Sequence, residues 1–129
     1  MNTLQLRLVS AGLFFLLILP SGLWLSHSGR PYSLLMFNIH KLIGFGLFVF
    51  LIINVYWMNQ TTPLSFPQRT ACLIAGLFFL ATIVTGGLVS ISKAMPVAVS
   101  LSHKLLPYLT VLSTVISLYL LLRVRYPVK

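Results

Sequence analysis

Ala11-Gly12-Leu13-Phe14-Phe15-Leu16 occurs a second time, unchanged, as Ala75-Gly76-Leu77-Phe78-Phe79-Leu80, 64 residues further on. A second match runs in nearly the same register: His40-Lys41-Leu42 returns 63 residues later as His103-Lys104-Leu105. Leu-rich stretches coincide by chance, but two separate stretches sharing one register do so far less readily. The chain is therefore predicted to be a tandem duplication of a two-helix unit, with halves of about 1–62 and 63–129.

Composition fixes the solvent in which such a unit folds. Of 129 residues, 58% are hydrophobic and only 7% are charged, and the mean hydropathy is +1.00. Soluble domains carry about a quarter charged residues. An integral membrane protein is expected, all-α, a single domain of four spans of about 20 residues in an up-down bundle.

All nine charged residues are Lys or Arg, and the chain has no Asp or Glu. That excludes carboxylate-based acid/base catalysis, carboxylate-rich metal cages and the intramembrane acids that couple protons to transport. The basic residues are dispersed along the chain, unlike those of a nucleic-acid-binding surface. Their ordinary use is to set topology and meet lipid headgroups. The lone Cys72 cannot form an intrachain disulfide and reads as a small apolar packing residue.

The first apolar run spans Leu8 to Leu25 and resembles a signal peptide with a small-residue exit at Ser26-His27-Ser28-Gly29. Its partner, about Thr70 to Ile91, lies mid-chain, so both are expected to be retained spans. The second run is expected to begin near Pro31, in the first turn, where a missing N–H costs nothing, and to reach Trp57. Asn59 to Pro63 then forms a polar connection, with Ser65 and Pro67 as start signals for the third helix. The fourth run follows Pro96, again expected in a first turn, and continues to about Arg123.

Charge sets Arg7, Arg69, Arg123, Arg125 and Lys129 on one side against Arg30, Lys41, Lys93 and Lys104 on the other. This predicts cytoplasmic termini in a bacterial-type inner membrane, with the histidine side external. Trp24, Trp57, Tyr32 and Tyr56 lie near run ends, as interfacial aromatics do.

Four spans in up-down order make the second and fourth parallel, placing His40 and His103 at similar depth on the same side of the membrane. A parallel duplication relates its halves by an axis along the membrane normal. Two imidazoles related in this way can approach one atom from opposite sides, the axial arrangement of a six-coordinate haem b. Gly44, one turn beyond His40, would leave room for a flat macrocycle. Pro107, its counterpart after His103, removes a helix hydrogen bond and can bend the helix around a ligand. Gly22, Gly86 and Gly87 match across the repeat; they would admit the ring or, equally, allow close helix packing. Lys41 and Lys104 are placed to pair with propionates or to snorkel toward lipid phosphate, and Arg30 and Lys93 are further cations on that side. His27 has no repeat partner and reads as a solvated loop residue.

In its four-run layout and in His40-Lys41 and His103-Lys104, with Gly22 and Gly86 secondary, the chain resembles the small four-helix b-type membrane cytochromes, broadly the cytochrome b(561)-like families. The resemblance implies one haem b held by His40 and His103, and electron exchange with a quinone or a partner redox protein. Many relatives hold two haems at opposite membrane faces, whereas this chain has one intramembrane histidine pair. The alternative is a cofactor-free assembly or anchoring subunit of a larger membrane complex. Thr110, Thr114 and Ser117, at helical spacing after His103, and Asn54 on the face of His40 suit either a quinone headgroup or ordinary interhelical and back-bonding contacts. Met36, one turn before His40, permits a copper site with His and Met ligands, but no Met matches it in the second half.

Overall fold

The computed structural model describes residues 3–91, 94 and 96–125. The Lys93 and Lys129 charges lie outside these residues, as does the side chain of Arg125. The described residues form four helices and no strand: α1 (Thr3–Ser28), α2 (Leu34–Thr61), α3 (Phe66–Ile91) and α4 (Val97–Arg125). Each is long and apolar enough to cross a membrane, and the chain is an integral membrane protein. At 1.5 Å per residue, helices of 26 to 29 residues measure about 39–44 Å, more than the hydrocarbon thickness of about 30 Å. The first span is thus not the short one that Leu8 to Leu25 would make. Exposed leucines at matching repeat positions, Leu13 with Leu77 and Leu42 with Leu105, provide apolar surface suited to lipid.

The chain divides into two compact units, Met1–Trp57 and Met58–Lys129. In the first, α1 and α2 form an antiparallel hairpin. The rings of Phe14 and Phe50 lie 5.7 Å apart, and Gly22 faces His40 at the other end. In the second, α3 and α4 pair in the same sense, from Gln68 bonded to the Leu120 carbonyl to Thr85 bonded to His103. Burial follows the repeat: Ala11 and Ala75, 64 apart, are both buried, as are Leu47 and Thr110, 63 apart.

Helix starts explain where the boundaries differ from the sequence expectation. Pro31 is not in the first turn of α2, because Ser33 takes the N-cap position and its carbonyl accepts from the Phe37 N–H at 2.9 Å. Tyr32, just before the cap, stacks on Phe37 with centroids 5.9 Å apart and planes 9° from parallel. This is a hydrophobic staple, which fixes the entry of the chain into the helix. Pro31 stays in the preceding turn, after Gly29, whose φ of 67° ends α1 in the left-handed conformation glycine tolerates best. Pro96 likewise precedes its helix: its carbonyl accepts from the Val99 N–H at 3.0 Å. Ser65 starts α3 as expected, and Gln68 reaches back to its N–H at 2.8 Å, one half of a capping box.

Candidate functional site

The shifted helix starts bring the histidines into closer correspondence than their prolines do. His40 is six residues after Leu34, the first residue of α2, and His103 is six residues after Val97, the first of α4. Each is about 9 Å along its helix from the start. Both are partly buried, each beside the last two turns of the preceding helix.

The two surroundings share a pattern. Ser21 on α1 lies with Oγ 2.8 Å from Nδ1 of His40, and Thr85 on α3 with Oγ1 3.1 Å from Nδ1 of His103. Ser21 and Thr85 are 64 residues apart, as are the glycines that follow them, Gly22 and Gly86. A Cβ on Gly22 would stand 3.0 Å from Cε1 of His40, and one on Gly86 would stand 2.7 Å from Cε1 of His103. Both glycines are thus where the imidazole passes the neighbouring helix, too close for any larger residue to fit without movement. A Cβ on Gly87 would meet nothing within 4 Å, so that glycine plays no such part. The sequence singled out the glycines but not the hydroxyls, although a hydroxyl residue directly before each matched glycine was there to be read.

The other candidates divide. Ile18 Cδ1 stands 3.4 Å from where a Cβ on Gly44 would be, so a side chain of α1 already occupies the space beside that glycine. Pro107 lies inside α4, and as a proline it offers no N–H to the His103 carbonyl one turn earlier. The Lys41 ammonium sits 4.1 Å from the ring centroid of Phe37 on its own helix, and Arg30 lies over Tyr32 at 5.6 Å. The staple at the start of α2 is therefore flanked by two cations, a favourable arrangement with aromatic faces. Lys104 is exposed. His27 is not in the connection but in the last turn of α1, exposed, with Nδ1 3.0 Å from the Leu23 carbonyl.

The remaining polar candidates, Asn54, Thr110, Thr114 and Ser117, bond within or between helices. Asn54 donates to the Phe50 carbonyl at 2.7 Å, Thr114 to that of Thr110 at 2.7 Å and Ser117 to that of Ser113 at 2.8 Å. Thr110 and Thr82 meet across the α3–α4 contact at 3.0 Å. Among the described residues no group of three or more His, Cys, Asp or Glu converges to hold a bare metal ion. No protein-family model, curated protein or solved structure matches the chain.

Proposed function

We propose that this chain is a small b-type membrane cytochrome, in which His40 and His103 would hold one haem b, that exchanges electrons with a quinone or a partner redox protein. The observation that supports this reading is the duplication of a complete imidazole environment, with hydroxyl, glycine and histidine at matching positions in both hairpins. A histidine serving only as an interhelical contact needs no counterpart at the matching place in the other half. Two imidazoles are a donor set suited to haem iron, and a chain with nine basic and no acidic residues suits a group bearing two propionates. Lys41 and Lys104, next in sequence to the histidines, and Arg30, at the same end of its hairpin as His40, would be the cations to meet those charges. The bound group supplies one-electron chemistry; the protein supplies ligation, orientation and burial.

A cofactor-free anchoring or assembly subunit is favoured instead by one observation: each imidazole already has a hydroxyl partner, as an interhelical contact would. The visible spectrum of the purified protein separates the two. A cytochrome gives a Soret band that shifts on dithionite reduction, and His40→Ala and His103→Ala each lose the low-spin spectrum or most of the haem, while His27→Ala keeps both. Protein that remains colourless with haem supplied during expression returns the reading to the anchoring subunit.

A further inference from the structure

We infer that Ser21 and Thr85 are positioning residues: each accepts a hydrogen bond from Nδ1–H of its histidine, which fixes the ring tautomer and leaves the lone pair on Nε2, the nitrogen offered to iron. The ligand role in this inference rests on the cytochrome reading; the tautomer does not.

A hydroxyl has one proton to give. Ser21 Oγ lies 2.9 Å from the Ile18 carbonyl as well as 2.8 Å from His40 Nδ1. Thr85 Oγ1 lies 2.8 Å from the Ala81 carbonyl, 3.1 Å from that of Thr82 and 3.1 Å from His103 Nδ1. Carbonyl oxygens only accept, so both contacts of each hydroxyl are hydrogen bonds at once when its proton goes to the carbonyl and the imidazole donates to it. A neutral imidazole protonated at Nδ1 carries its lone pair on Nε2. Gly22 and Gly86 complete the arrangement by letting Cε1, the carbon between the two nitrogens, lie against the neighbouring helix. The ring is thereby held at one nitrogen and one edge.

A hydrogen bond from the distal N–H of a ligating imidazole orients the ring and raises its basicity, and losing such a partner typically costs 10–100-fold in affinity. Ser21→Ala and Thr85→Val are thus expected to weaken haem retention about tenfold each and to raise the midpoint potential, since a less basic ligand stabilises oxidised iron less. Ser21→Thr and Thr85→Ser, which keep the hydroxyl, are expected to retain both properties. The tautomer is read separately by imidazole 15N NMR of the full chain in detergent, made in a haem-deficient host. Wild-type His40 and His103 should both be protonated at Nδ1, and the hydroxyl-free variants should shift toward Nε2–H. Nε2–H in the wild type, or variants with unchanged potential and haem retention in a coloured protein, overturns the positioning role and leaves the cytochrome reading intact. A wild type that never binds haem overturns the cytochrome reading and the ligand role with it, whatever the tautomer.

Discussion

Four glycines separate ring placement from simple helix preference. Replacing a helical glycine with alanine ordinarily favours the helix by up to about 1 kcal/mol. At Gly86 the new methyl would lie 2.7 Å from His103 Cε1, and overpacking of that kind costs about 1–3 kcal/mol. The steric term wins, and Gly86→Ala should lower thermal stability and displace the His103 ring. At Gly22 the corresponding distance is 3.0 Å, so the two effects nearly cancel and a smaller change is expected. Gly76 and Gly87, with nothing within 4 Å, should accept alanine without loss. Thermal melts of the four alanine variants in one detergent check the ranking; equal behaviour of Gly86→Ala and Gly87→Ala would contradict it. The histidines and glycines were legible in the sequence because identical residues recur there. Ser21 and Thr85 were obscured because the repeat keeps their chemistry and not their identity.

At the scale of elements, the second hairpin is tied at its end away from His103. Gln68 is buried and makes three bonds: it accepts from the Ser65 N–H at 2.8 Å and hydroxyl at 3.0 Å, and donates through Nε2 to the Leu120 carbonyl at 3.0 Å. One side chain thus caps α3 and fastens it to α4. Loss of a cap costs about 1 kcal/mol, and an interhelical hydrogen bond in a membrane protein averages about 0.6 kcal/mol. Gln68→Ala should therefore destabilise the chain by about 1–2 kcal/mol and speed hydrogen exchange in the first turn of α3. Unchanged exchange there would show that Gln68 does not hold the helix start. Helix existence was readable from apolar length alone, and Ser65 from its position before Pro67. The start of α2 differs from expectation because Pro31 is a strong local signal, whereas the Tyr32–Phe37 staple that overrides it joins residues on either side of the cap.

For the whole molecule, membrane insertion follows from four long apolar helices and leaves orientation to the charges. Arg7 in the first hairpin, and Arg69 and Arg123 in the second, lie toward the helix ends away from the turns. Arg30, Lys41 and Lys104 lie at or near the turns. If Lys41 and Lys104 serve propionates, fewer turn-side charges remain to compete, and both termini are expected in the cytoplasm. Reporter fusions at each end, one active only in the cytoplasm and one only outside it, check this; external signals at both termini reverse the assignment. Fold class was legible throughout because composition dictates it. The duplication was legible because two separate stretches retain it, while the way each ring is held became readable only once side chains on neighbouring helices were seen together.

The contacts that orient each ring are short-range in the chain: 19 residues separate Ser21 from His40, and 18 separate Thr85 from His103. Synthesis proceeds from the N-terminus, and units fold in the order in which they emerge. Ser21, Gly22 and His40 have all been joined to the chain before Thr85 is added, so the first imidazole can be set while the second half is still being translated. Each hairpin can then enter the bilayer with its own imidazole oriented by its own residues, so that maturation of the protein can begin before its chain is finished.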